Sequence, residues 1–179
     1  DLVSSRGLGD VYKRQNCQGV VGTVMTNLGV EHAFQELGIP FFRASVGDRN
    51  VIELMKEKNC KFGGESSGHI VCSDLNTTGD GIISSLQVVA AIVKSGVTLS
   101  SLVSSIKKVP QHMVNVRVSK SFDFEHKTIK QAIIESEKKL KSKGRLLVRP
   151  SGTEPVIRIM AESPDEAMVV TEINKLSDI

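Results

Sequence analysis

Aromatic residues are scarce in this chain: its 179 residues include no tryptophan, one tyrosine and six phenylalanines. Few rings are therefore present on which nucleobases could stack. Charge of one sign is also lacking, since 23 lysines and arginines face 20 acidic residues for a net +3. The densest basic stretch, EKKLKSKGR at 137–145, is interrupted and reads as a solvated helix end. Both absences argue against a nucleic-acid partner. Cysteine is limited to Cys17, Cys60 and Cys72, with no CxxC spacing. That pattern excludes a disulfide framework and a zinc site, and predicts reduced thiols in a cytoplasmic protein. No apolar run approaches the ~20 residues that cross a bilayer, and no signal peptide opens the chain, so no membrane partner is expected. What remains is 40% apolar and 24% charged, the balance of a globular protein.

Residues 1–15, DLVSSRGLGDVYKRQ, do not resemble the rest of the chain. GLGDVY offers two glycines of a dinucleotide fingerprint, but Tyr12 stands where the third belongs and no apolar strand precedes it, so the motif fails its structural context. The stretch reads as a non-native leader and is set apart from the fold. From residue 19 the pattern is regular. GVVGTVMTN is a β-branched run, LGVEHAFQELG has helical spacing with a Gly38 stop, and IPFFRA, NVIELMKEKN and KFGGE continue the alternation of strand and helix. This predicts an α/β domain built on a parallel sheet with crossover helices, over residues 16–108. IVCSD reads as a further strand. GDGIISSLQVVAAIVKSG reads as a long buried helix from Asp80 to the Gly96 stop, and TLSSLVSSIKK as a shorter one.

VPQH breaks the chain, and the period then changes. MVNVRVS alternates as a half-buried strand, EHKTIKQAIIESEKKLKS is an amphipathic helix, and GRLLVR and PVIRIMAE are strands on either side of a loop. The last helix is expected to start at a capping Ser163 with Pro164 at its first position. The order β-α-β-β-α predicts a small α+β domain over 112–179.

Three loops carry candidate chemistry. In RPSGTEP, the backbone N–H groups of Ser151, Gly152, Thr153 and Glu154 can line one concavity, the hydroxyls of Ser151 and Thr153 add donors, and Arg149 and Arg158 offer planar forks to an anion. The same residues also make plain turns. In GGESSGH, at the carboxyl end of a predicted parallel strand, Glu65 accepts, Ser66 and Ser67 bind either way and His69 trades a proton near neutral pH. Sugar hydroxyls need that mix, although a helix-capping Glu and a packed His fit the pattern too. In SVGDRN, Asp48 and Arg49 line a strand-to-helix turn; the plain alternative is a cap and a surface ion pair.

VGDR, GESSGH, TTGDG and RPSGTEP with its following arginine, in this order and spacing, resemble the third and fourth domains of the α-D-phosphohexomutases over residues 19–179. ESSGH and VGDR are most similar to the branch of that family acting on hexosamine phosphates; the phosphomannomutase and phosphoglucomutase branch tends to carry EMSGH. The resemblance implies that Glu65, Ser66, Ser67 and His69 bind the sugar. It also implies that Arg149, Ser151, Gly152, Thr153 and Arg158 hold the phosphate that does not react, and that Asp48, Arg49 and His69 line the cleft. In that family a phosphoserine and a Mg²⁺ move the phosphoryl group through a bisphosphate intermediate. The serine lies in a TASHNP-like loop and the metal in a DGDxDR-like loop of earlier domains. Neither motif occurs in this sequence. The expectation is thus a fragment of an isomerase, inactive alone, whose partners are a hexosamine phosphate and the missing N-terminal domains. A fragment from the phosphomannomutase and phosphoglucomutase branch, or a phosphosugar-binding module without chemistry, are the alternatives.

Overall fold

The computed structural model describes residues 18–104, 106–119, 123, 125–140, 143–151 and 154–179. The leader and Cys17 lie outside these residues. The chain divides into two compact units, Asp1–Lys107 and Lys108–Ile179.

The first unit holds a four-stranded sheet of order β2-β1-β3-β4, with β1 at Val20–Thr23, β2 at Phe41–Ala44, β3 at Phe62–Gly64 and β4 at Ile70–Cys72. Strand β1 runs parallel to both β2 and β3, with Val20 opposite Phe41 on one side and Phe62 on the other. The fourth strand, whose direction the pattern left open, makes the sheet mixed: β4 is antiparallel to β3, with Phe62 opposite Cys72. The cause is the length of the GESSGH connection, far short of the dozen residues that a parallel crossover needs.

Helix α1 (Leu28–Glu36) starts where the Asn27 side chain accepts from the Gly29 N–H at 3.0 Å, and its chain reverses at Gly38, φ +68°. Helix α2 (Asp48–Glu57) buries Val51 and Met55 against Val21, Ala44, Cys60 and Val71, the core of this unit. Val21 and Phe42 point to that core, so their neighbours Val20 and Phe41 face the other side. There Phe34 of α1 stacks on Phe41 at 5.8 Å. Gly63 is required by the α2 packing, because a Cβ would fall 2.5 Å from Met55 Sδ and 2.9 Å from Val51 Cγ1. Cys60 and Cys72 are buried, and burial pushes the Cys72 thiol up.

Helix α3 (Gly81–Ser95) has the expected ends: the Asp80 carboxylate accepts from the N–H groups of Ile82 and Ile83, each at 2.9 Å, and Gly96 takes φ +69°. It is not buried. Of its residues only Ser84 is enclosed, because the helix packs mainly on the edge strand β4. Helix α4 is shorter than the spacing predicts, Leu99–Val103, capped by Thr98. No helix of the described residues is long and apolar enough to cross a membrane.

The second unit is an antiparallel sheet of order β5-β7-β6, with β5 at Gln111–Arg117, β6 at Arg145–Pro150 and β7 at Val156–Glu162. Helices α5 (Lys127–Leu140) and α6 (Glu166–Ser177) cover one face, where Leu140, Val169 and Ile173 meet Ile157, Ile159 and Ala161. The buried Glu172 carboxylate accepts from Ser136 Oγ at 2.8 Å and Lys139 Nζ at 2.7 Å. Burial opposes its charge, but these donors outweigh burial and hold it below the usual carboxylate range. On the opposite face Arg145 forks onto the fully buried Glu162, a cross-strand pair of opposite charge. The start of α6 differs from the expectation. Its cap is Asp165, which accepts from the Met168 N–H at 3.1 Å, while Ser163 is fully buried and donates its own N–H to Pro110. Anchored there, Ser163 turns the chain by accepting from the Asp165 N–H, and the helix begins two residues later.

Candidate functional site

The loop between β3 and β4 is closed by two backbone bonds, Glu65 N–H to the His69 carbonyl at 2.8 Å and Gly68 N–H to the Glu65 carbonyl at 3.1 Å. Gly68 sits at φ +97°, a conformation that favours glycine, and nothing lies within 4 Å of where its Cβ would be. Ser66, Ser67 and His69 are exposed around this turn, and Glu65 is half-buried at its base. Gly64 is confined, because a Cβ there would meet the His69 carbonyl oxygen at 2.8 Å.

Glu65 joins this loop to the SVGDRN turn. Its Oε1 accepts from the Gly47 N–H at 2.7 Å, and Oε2 accepts a long bond from Ser67 Oγ at 3.4 Å. Gly47, at φ +121°, is the residue that opens α2, and no side chain caps that helix. Asp48 is therefore not a cap; it lies in the first turn, with Oδ1 3.5 Å from His69 Nδ1. Arg49 points outward, 89% exposed, with Nε donating to Glu53 at 2.8 Å; that hydrogen bond and charge raise its pKa. Asp48, Glu65 and His69 are thus brought together, and Arg49 takes the surface ion pair. The Gly47 N–H is a part of this arrangement that residue-type reasoning missed. Its only sequence signal was glycine immediately before a helical run.

Ligand atoms of Asp48, Glu65 and His69 lie within 4.8 Å of one another. They do not suit Mg²⁺, which asks for near-octahedral oxygen ligands, because one of the three is an imidazole and Glu65 already accepts from Gly47 and Ser67. Asp80 is occupied as a helix cap.

In the second unit, Arg149 on β6 stands directly opposite Arg158 on β7, and Asn115 on β5 extends the same row. Among the described residues, the Nε atoms of both arginines are buried without a hydrogen-bond partner. Arg158 reaches Glu154 only at 3.6 Å, too long for a hydrogen bond. Like charges placed opposite each other repel and an unsatisfied buried donor is costly, and an anion between the two forks would offset both. Ser151 begins the connecting loop, but its backbone N–H donates to the Val156 carbonyl at 2.9 Å. It therefore does not line an anion concavity, and the residue's own contribution is its hydroxyl. Gly152 and Thr153 lie outside the described residues. Asn115 was missed, because β5 joins the sheet across a helix and not through the hairpin, so no turn in the sequence fixes its register.

Comparison with known proteins shows the same division. The description "Phosphoglucomutase/phosphomannomutase, alpha/beta/alpha domain III" matches residues 5–109, starting ahead of β1, and "Phosphoglucomutase/phosphomannomutase, C-terminal domain" matches residues 113–175. The phosphoglucosamine mutase of Hahella chejuensis is 57% identical over 162 residues, covering 90% of this chain and 36% of that protein. That of Cellvibrio japonicus is 51% identical over 164 residues, covering 91% and 37%. The chain thus spans little more than a third of the length of these relatives. A solved Aspergillus fumigatus N-acetylphosphoglucosamine mutase, in complex with GlcNAc-6P and magnesium, shares the fold at a TM-score of 0.76 and 19% identity, over 98% of this chain and 45% of that one. The sheet orders, the two loops and these matches lead to one conclusion: the chain belongs to the phosphoglucomutase/phosphomannomutase family, of which it carries the third and C-terminal domains.

Proposed function

We propose that this chain is the substrate-holding, carboxyl-terminal part of a phosphoglucosamine mutase, an isomerase that interconverts glucosamine 6-phosphate and glucosamine 1-phosphate. The observation that carries the reading is the opposed Arg149–Arg158 pair, with both Nε atoms buried and unpartnered among the described residues. A phosphate monoester supplies the acceptor oxygens and the charge that such a pair lacks. Arg149, Arg158 and the Ser151 hydroxyl hold the phosphate that is not being transferred, with Gly152 and Thr153 assigned to the same loop by resemblance. Glu65, Ser66, Ser67 and His69 read the sugar. Glu65 suits this role because a carboxylate offers about four acceptor sites, of which Gly47 and Ser67 use two. Asp48 and His69 line the cleft next to the reacting hydroxyl, and Arg49 stands at its rim.

Transfer itself needs a nucleophilic serine and a metal-binding loop, which belong to the N-terminal domains of the longer protein. When bound there, Mg²⁺ neutralises charge on the reacting phosphoryl group. The residues of this chain bind and orient: a clamp that holds one phosphate fixes the sugar so that the opposite end meets the reacting site. Alone, the chain binds hexosamine phosphate in its cytoplasmic setting without converting it.

The test is a titration of isotope-labelled chain with glucosamine 6-phosphate. Amide shifts are expected at Ser151 and Glu154, with weaker ones from Glu65 to His69. Silence at both loops at millimolar ligand overturns the binding role. Conversion of the ligand by the chain alone overturns the assignment of the chemistry to absent domains.

A further inference from the structure

TTGDG, residues 77–81, closes the connection from β4 into α3 and has no part in the binding roles proposed above. It is held from both sides. The Asp80 carboxylate accepts from the Ile82 and Ile83 N–H groups, and Ser84, the enclosed residue of α3, donates its hydroxyl to the Ile70 carbonyl at 3.2 Å. That second bond ties the start of the helix to the strand residue next to His69. Gly79 is thereby brought against the imidazole: a Cβ built there would fall 3.2 Å from His69 Cδ2, 3.9 Å from His69 Cβ and 3.5 Å from the Ile70 carbonyl oxygen. The first of these is tighter than ordinary van der Waals contact, so the missing side chain is what lets turn and ring lie together.

The other edge of the ring faces Asp48, whose Oδ1 is 3.5 Å from Nδ1. The backbone of His69 has little freedom to adjust, since its carbonyl accepts from the Glu65 N–H and stands 2.8 Å from where a Cβ on Gly64 would be. The imidazole is therefore placed by what lies at its two edges, an acid on one and a bare stretch of backbone on the other. Its far side, which carries Nε2, is turned away from both, and the side chain is 58% exposed. Nε2 is the ring nitrogen left for a ligand.

We propose that Gly79 is a positioning residue for the sugar-reading loop: the TTGDG turn is the stop that sets the His69 ring against Asp48, with Nε2 presented to a sugar hydroxyl. A Cβ at position 79 would force the ring to yield by a few tenths of an ångström. Flanked on both edges, the ring can yield only toward its open side, which carries Nδ1 away from Asp48 and re-aims Nε2. Hydrogen bonds weaken steeply as they lose alignment, so a small turn of the ring costs affinity. That His69 reads the sugar is taken from the proposed function, and the inference rests on it; the placement of the ring by Gly79 does not.

The experiment compares the chain with its Gly79→Ala and Gly81→Ala variants by magnetic resonance and by titration with glucosamine 6-phosphate. Gly81 belongs to the same turn, but nothing lies within 4 Å of where its Cβ would be. In the unaltered chain a nuclear Overhauser contact between His69 Hδ2 and the Gly79 α-protons is expected; its absence overturns the inference, whether or not any variant folds. Asp48→Asn should move the His69 Nδ1 resonance at fixed pH. That response should shrink in the Gly79→Ala background and persist in the Gly81→Ala background, a difference that a general loss of stability does not produce. Gly79→Ala should also weaken binding of glucosamine 6-phosphate by about two- to fivefold, the lower range for residues in contact, with Gly81→Ala unchanged. Asp48→Asn without effect on Nδ1, an undiminished effect in the Gly79→Ala background, or unchanged affinity in Gly79→Ala while the unaltered chain binds, each overturns the positioning role. An unaltered chain that fails to bind the sugar phosphate, with the ring responding as expected, counts against the mutase reading while supporting the placement of His69 by Gly79.

Discussion

Arg149 and Arg158 are cross-strand partners in the antiparallel pairing of β6 and β7. Like charges held opposite each other repel, and the proposed phosphate between them would offset that cost. Inorganic phosphate should therefore raise the melting temperature of the wild-type chain and do so less in Arg149→Ala or Arg158→Ala. Either substitution should weaken binding of glucosamine 6-phosphate by about 1.5–3 kcal/mol, the size of a charged hydrogen bond. Calorimetric titration reads this, and unchanged affinity in both variants would move the anion site elsewhere.

Glu65→Ala removes the acceptor of the Gly47 N–H, whereas Glu65→Gln keeps a carbonyl in its place. The Gly47 amide resonance should move upfield strongly in the first variant and little in the second. Loss of a hydrogen bond to a charged partner sets the stability cost of the alanine variant at about 1.5–3 kcal/mol. A Gly47 amide that ignores both changes would show that the two loops are not tied.

The Glu172 carboxyl is held below its ordinary value of 4.5 in the folded chain. A depressed carboxyl contributes stability that is complete above the unfolded value and is lost as pH falls through the folded one. Wild-type melting temperature should consequently drop on acidification below about pH 5, and Glu172→Gln should flatten part of that limb. Thermal melts of both proteins across the acid range provide the comparison, and parallel curves would remove Glu172 from the acid response.

Gly144→Ala places a Cβ 2.3 Å from the Glu162 carbonyl oxygen, a backbone atom of the central strand that cannot swing aside. Overpacking of this kind costs roughly 1–3 kcal/mol. Urea denaturation should show the midpoint falling with little change in slope.

Local chemistry made much of this fold legible. Gly38, Asp80 and Gly96 mark helix ends where side chain or backbone freedom predicts, and the β-α-β-β-α order of the second unit comes from changes of period alone. What was not legible depends on contacts between distant residues. Ser163 is the local exception: it fails as a cap because its hydroxyl is taken by the Asp165 N–H, ahead of the helix. Strand β4 reverses because of a loop length that composition does not weigh. Helix α3 has the sequence of a buried helix, and burial depends on a neighbour that no pattern within the helix can supply. The site divides in the same way. Residue types pointed to Glu65, His69 and the two arginines, whereas the Gly47–Glu65 tie and the pairing of Arg149 with Arg158 emerge only when the strands are in register.

The bond from the Glu65 N–H to the His69 carbonyl continues the β3–β4 ladder, so the GESSGH loop is its final rung and not a flap hung from it. Reshaping the loop would mean unzipping the edge of the sheet. Under the proposed function the loop would keep one shape through both orientations of the sugar, and the turning over would fall to the ligand.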